Sequence, residues 1–146
     1  MKIKKLIIYI LTPLILGGLV GTLSGSFNGF NDINTPNFIP PKILFPIMWT
    51  ILYILMGISR YLIRNNMECV MIYNTQLIVN LLWSFFFFLF KWYLFSFLWI
   101  VFLIILVVIM IIKFYKENKT ASLIQIPYLL WITFAGILNL SIYILN

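Results

Sequence analysis

The chain contains no histidine, a single cysteine and only three acidic residues, Asp32, Glu68 and Glu117. Each shortage closes a class of chemistry. A zinc site needs three or four ligands from Cys, His and carboxylate, and this chain cannot gather them in one place. The same inventory excludes a haem held by an axial His and any Ser/His/Asp or Cys/His catalytic group. Cys69 has no partner for an internal disulfide and reads as a packing residue at a helix start. Coupled carriers usually keep Asp, Glu or His inside their spans as relays. All three acids here fall in predicted loops or at span ends, which argues against coupled transport. A passive path for an apolar or amphipathic molecule stays open. Neither a metal nor a cofactor is expected.

What the chain has is apolar surface. Of its 146 residues, 64% are hydrophobic and 9% charged, far from the usage of a soluble domain. A soluble chain of this length has too little interior to hide that surface. The reading is a single-domain, all-α integral membrane protein. Five apolar segments, near 6–27, 43–63, 70–90, 94–112 and 121–145, each approach or exceed the ~20 residues that cross a ~30 Å hydrocarbon core. Helices suit them better than barrel strands, because the apolar runs do not alternate. The opening MKIKKLIIYILTPLILGGLVGTLSG resembles a signal peptide in its basic start, but its apolar run is long and no Ala-x-Ala-like site follows. A retained first helix is expected.

The net charge of +7 is distributed as topology rather than as a nucleic-acid surface. Lys2, Lys4, Lys5, Arg60, Arg64, Lys113, Lys116 and Lys119 fall on one side of a five-span layout, leaving Lys42 and Lys91 on the other. The positive-inside rule then gives a cytoplasmic N-terminus and an outside C-terminus. The basic side meets anionic headgroups of the lipid bilayer. The Ile-, Asn-, Lys- and Phe-rich composition hints at an A/T-rich bacterial genome, and helical spans point to the inner membrane.

Several faces stand out. Gly17, Gly21 and Gly25 recur every four residues, a small-residue stripe that packs either inside the bundle or across a homodimer. The connection at 28–41 carries Phe30 and Phe38, which act either as a lid over the bundle mouth or as interfacial anchors; Pro40 and Pro41 suit the start of the next helix. Trp49, Tyr53, Gly57 and Arg60 share one face of the second span, and Tyr128, Trp131, Ala135 and Asn139 one flank of the fifth. In YNTQLIVNLLWSFFFFLF (73–90), Gln76, Asn80 and Ser84 recur at intervals of four. Such amides in hydrocarbon need partners, so the stripe is either interhelical glue or the wall of a pocket beside Trp49, Trp83 and Trp131. The fourth span has almost no polar side chain beyond Ser96 and reads as the most lipid-exposed.

PNFIPPKILFPIMWTILYILMG, YNTQLIVNLLWSFFFF and PYLLWITFAGILNLSIYILN resemble, in order, three motifs of the TspO/MBR family (translocator protein, peripheral benzodiazepine receptor). The first is K-P-x-aromatic-x-P-P followed by V-F-x-x-W-x-x-L-Y-x-x-M-G. The second is Q-L-x-L-N-x-x-W-S-x-x-F-F, and the third P-Y-x-x-W-x-x-F-A-x-x-L-N…L-N. The resemblance implies a five-helix bundle with a central pocket, capped by the first loop, for porphyrins, sterols and benzodiazepine-type ligands. Carried over by motif, the pocket takes in Phe30, Phe45, Trp49, Tyr53, Asn80, Trp83, Trp131, Ala135 and Leu138. Phe38, Pro40 and Pro41 would belong to the lid, with Gln76 and Ser84 partly glue.

Two departures bear on function. The loop commonly reads W-Y where this chain has Gly29 and Phe30, and Lys where it has Thr35, so a phenol is missing from the lid. The animal sterol motif is absent after Tyr143, and Leu55…Tyr61…Arg64 fits only a loose sterol pattern. The leading expectation is a binding and sensing protein for tetrapyrroles that aids their movement or disposal. A second is a light-dependent porphyrin-degrading enzyme working through Trp49 and Trp131, weakened by Phe30. A third is a structural membrane partner protein without a small ligand.

Overall fold

The computed structural model describes residues 2–146, and among them the chain is helical, without strands. Helix α1 runs Lys2–Ser24, α2 Leu44–Leu62, α3 Met67–Ser84, α4 Tyr93–Glu117, α5 Lys119–Leu123 and α6 Ile126–Leu145. A 3-10 turn, Ser26–Asn28, follows α1, and a π-helical turn, Phe85–Leu89, prolongs α3. Five stretches are long and apolar enough to cross a membrane: Lys2–Ser24, Leu44–Leu62, Met67–Leu89, Tyr93–Glu117 and Lys119–Leu145. This is the expected all-α, five-span integral membrane protein, with the first and fourth helices running further into their basic ends than the apolar pattern alone implied.

Local chemistry sets the helix ends. The Asn66 side chain accepts from the Cys69 amide at 3.1 Å, capping α3, with Glu68 in the first turn where the helix dipole favours an acid. Asn118 caps α5 in the same way through Ala121. Gly25, at φ 76°, turns the chain away from α1; a β-carbon is disfavoured in that left-handed conformation. Pro127 stands in the first turn of α6, where its missing N–H costs nothing.

Proline and glycine also make the seam between α1 and α2. Pro13 lies inside α1 and cannot donate to the carbonyl of Tyr9, four residues back. Gly57 of α2 packs against that freed turn: a β-carbon there would stand 2.6 Å from the Tyr9 carbonyl oxygen and would collide with the Ile10 backbone. Just beyond, the Arg60 guanidinium lies 4.6 Å from the centroid of the Tyr9 ring, a cation–π contact at the basic end.

The expected exposure of the fourth span is corrected. In α4 the buried residues Ser96, Ile100, Leu103, Val107, Met110 and Phe114 alternate in steps of four and three, a continuous ridge packed on α3 and α6. It is α1 that lies outermost, with 6% of its span buried against 28% for α4. A bare helix is not an outer helix, because lipid and protein interior are equally apolar and van der Waals fit alone decides between them.

Polar ties fix the remaining seams. The Trp99 indole donates to the Val79 carbonyl at 2.8 Å, joining α4 to α3. Ser59 donates to the Ala121 carbonyl at 2.8 Å, and Gln125 donates to Ser59 at 2.7 Å and to the Leu55 carbonyl at 3.2 Å, clasping α2 to the start of the last span. At the opposite end the Asn146 carboxamide grips the backbone of Asn34 from both sides, accepting its N–H at 3.1 Å and donating to its carbonyl at 2.9 Å.

Replacing Gly57 with alanine should lower stability by about 1–3 kcal/mol, the cost of overpacking against a backbone that cannot yield. Gly18 on α1 faces open space, so Gly18→Ala should stay within about 0.5 kcal/mol of wild type. Unfolding of the two variants in detergent, followed by circular dichroism, checks the contrast.

Candidate functional site

Three of the spanning helices bring large rings to one end of the bundle, and between them lies a cavity of about 410 Å³. That is the size of a small-molecule site. Helix α2 contributes Phe45, Trp49 and Tyr53, one helical face by their spacing of four. Helix α3 contributes Asn80, Trp83 and Ser84, and the π turn adds Phe87 and Phe88. Helix α6 contributes Trp131, Ala135, Leu138 and Asn139. The glycine face of α1, at Gly17, Gly18 and Gly21, forms the remaining wall, and Phe30 comes in from the first loop.

The rings are packed against one another. Trp49 stacks on Tyr53, with centroids 5.6 Å apart, and Trp83 stacks on Phe87 at 5.1 Å. Trp131 meets Phe45 edge-on at 5.7 Å, and Phe30 lies 4.9 Å from Phe45 and 5.4 Å from Phe88. Gly17 is required where Tyr53 approaches α1, since a β-carbon there would strike the tyrosine ring. At Gly29 the Phe88 ring occupies the place a side chain would take. The position where the resembling loop motif has Trp is thus backed by a phenylalanine from the π turn.

The polar groups of the wall are mostly engaged with each other. Tyr53 donates to Asn80 at 3.0 Å, Asn80 donates to the Tyr128 hydroxyl at 2.8 Å, and Tyr128 donates to Gln76 at 2.7 Å. One chain of bonds therefore ties α2, α3 and α6. The Trp83 indole donates to Asn139 at 3.0 Å, and Asn139 donates to the Tyr93 carbonyl at 2.8 Å. The Trp131 indole N–H is different: it is buried and has no protein partner, although the side chain itself lines the cavity. Burying a donor unpaired is costly.

All nine residues the sequence pointed to as a pocket, Phe30, Phe45, Trp49, Tyr53, Asn80, Trp83, Trp131, Ala135 and Leu138, stand around this one cavity. Of the lid residues, Phe38 lies outside the lining and packs edge-on against Phe134 at 6.4 Å, and Pro40 and Pro41 likewise stand off it. The stripe of amides divides. Gln76 is fully buried between helices, Asn80 both bonds and faces the cavity, and Ser84 lines it. Of the glycine stripe, Gly17 and Gly21 line the cavity, whereas Gly25 serves the turn after α1. Sequence reasoning did not find Phe87, Phe88 or Lys42 in the wall. The run FFFF after Ser84 was the available signal for the first two, since four consecutive rings cannot all face lipid.

The cavity offers stacking surfaces, the Ser84 hydroxyl and, among its lining residues, one lysine, Lys42. Its lining holds no carboxylate, imidazole or thiol, and among the described residues no cluster of three His, Cys, Asp or Glu could hold a metal. Such a wall can bind and orient a flat apolar molecule.

Tyr128→Phe removes the hydroxyl that joins Asn80 to Gln76 and should cost about 1–2 kcal/mol, two interhelical bonds in a membrane interior. Ser84→Ala, which breaks no side-chain bond, should leave stability unchanged. Denaturation of both variants in mixed micelles measures the difference.

Comparison with known proteins agrees with this geometry. The profile of the TspO/MBR family matches residues 9–145. The tryptophan-rich protein TspO of Archaeoglobus fulgidus is 38% identical over 100% of this chain and 99% of its own length. Protein CrtK of Rhodobacter capsulatus is 32% identical over 88% of this chain and 85% of its own. The translocator protein of Bos taurus is 26% identical over 85% of this chain and 80% of its own. With a family match across nearly its whole length and a full-length relative at that identity, the chain belongs to the TspO/MBR family.

Proposed function

We propose that this protein is a membrane receptor for tetrapyrroles and similar flat hydrophobic molecules, held in the cavity between α2, α3 and α6. The observation that carries the reading is the cavity itself, walled by the indoles of Trp49, Trp83 and Trp131 together with Phe45, Phe87 and Phe88. Most neutral polar groups of the wall are engaged with one another, so an incoming ligand finds mainly stacking surface. The names of relatives, tryptophan-rich protein and translocator protein, fit a site built on indoles and a role in translocation. Binding with assisted movement or disposal is favoured over chemistry, because the lining supplies neither an acid–base pair nor a nucleophile activated by one.

The placement in the membrane is part of the same proposal. Basic residues gather at the ends of α2 and α4 and at the start of α1, while Lys42 stands beside the cavity at the opposite end. By the positive-inside rule the N-terminus is cytoplasmic, and the cavity opens towards the outer face of a bacterial cell membrane.

Titration of the detergent-purified protein with protoporphyrin, followed by tryptophan fluorescence, should give saturable quenching. Trp131→Phe should raise the dissociation constant about fivefold, the worth of the indole stacking surface lost. Linear quenching, equal in both proteins, would mean partition into detergent and would sink the pocket. For topology, a membrane-impermeant maleimide applied to intact cells should label Asn37→Cys and spare Lys116→Cys; the reverse pattern would invert the orientation.

A further inference from the structure

Lys42 is the one fully charged side chain in the wall of the cavity. Its position follows from its neighbours. Pro40 and Pro41 stiffen the chain before it, and the Leu44 amide bonds to the Pro41 carbonyl at 2.9 Å, starting the turn that leads into α2. Lys42 precedes Phe45, Pro46, Trp49 and Tyr53 at spacings of three, four, seven and eleven, so it heads the same helical face that lines the cavity. It is the rim of that face.

Its charge is not spent within the protein. Among the described residues the ion pair present joins Lys113 to Glu68, at the other end of the bundle. Lys42 instead donates to the neutral Asn31 side chain of the first loop. An ammonium group has three donors, so this bond tethers the group to the first loop beside the cavity and leaves its charge and further donors without a protein acid. Every other lining residue is aromatic, aliphatic, small or neutral polar. A cation at the wet rim of an apolar slot distinguishes one end of a ligand from the other.

We propose that Lys42 selects carboxylate-bearing ligands: the flat apolar body lies among the rings, and its carboxylate rests on the Lys42 ammonium at the rim. The inference rests on the cavity reading above and adds to it a class of ligand, amphipathic acids over their neutral analogues, and a fixed polarity, acid end outward. Lys42 acts here as a specificity-determining residue. An exposed charge pair contributes modestly, which sets the expected discrimination at about fivefold. It should weaken with salt, as rim charges do.

The test compares two probes with one ring system, protoporphyrin and its dimethyl ester, in a non-ionic detergent. Wild type should bind the free acid about fivefold more tightly than the ester. Lys42→Gln should bind both with the affinity wild type shows for the ester, and Lys42→Arg should restore the preference. Raising salt should narrow the gap in wild type and leave Lys42→Gln unmoved. Equal binding of acid and ester by wild type, or a preference that survives in Lys42→Gln, would overturn the selector while saturable binding of both left the cavity standing. If neither probe saturates wild type, the cavity reading fails and the inference falls with it.

Discussion

The hydroxyl of Tyr128 is the point on which the bundle turns. It accepts from Asn80 and donates to Gln76, and through Asn80 it reaches Tyr53. In hydrocarbon no water can take the place of a lost partner, so helices carrying amides must meet where those amides can bond. This chain of bonds sets the register of α2, α3 and α6 against one another, and with it the positions of Trp49, Trp83 and Trp131. The same contacts that hold the helices thus shape the space between them. Glue and pocket are not alternatives here, because Asn80 is both.

Around that fixed core, the other helices are held mainly by shape. Helix α4 joins through a ridge of buried, mostly apolar residues, with the Trp99 indole bonding the Val79 carbonyl and Asn139 bonding the Tyr93 carbonyl. Helix α1 joins through a glycine-to-backbone contact made where a proline has left a carbonyl free. Neither seam needs a hydrophobic driving force, since lipid would cover the same surfaces equally well. Close approach decides, and small residues permit it. The π turn adds a further local device: by placing an extra residue in one turn it brings Phe87 and Phe88 to the cavity together.

Much of this was legible in the sequence. Span number, helical class and the basic end follow from composition and charge. The face carrying Trp49 and Tyr53 and the flank carrying Tyr128, Trp131, Ala135 and Asn139 follow from helical periodicity, and the motif resemblance joined them into one site. Three things were hidden, each for a physical reason. The burial of α4 could not be read, because an apolar residue looks the same towards lipid and towards protein. The place of Phe87 and Phe88 depended on a π turn that departs from the 3.6-residue period on which faces are assigned. The division of labour between Gln76 and Ser84 depended on where Tyr128 of a distant helix arrives, which spacing within one helix cannot report.

The grip of Asn146 on Asn34 bears on the order in which the molecule is made. These residues lie 112 positions apart, so the first loop emerges early and waits through the synthesis of four further spans for the side chain that fastens it. Seams between neighbouring helices, such as that of α1 with α2, need only local meeting and can form as the chain is inserted. The fastening of the first loop to the end of α6 cannot. The wall at the mouth of the cavity, which Phe30 and the Asn31 anchor of Lys42 help to build, is therefore fastened only after the last span has been made.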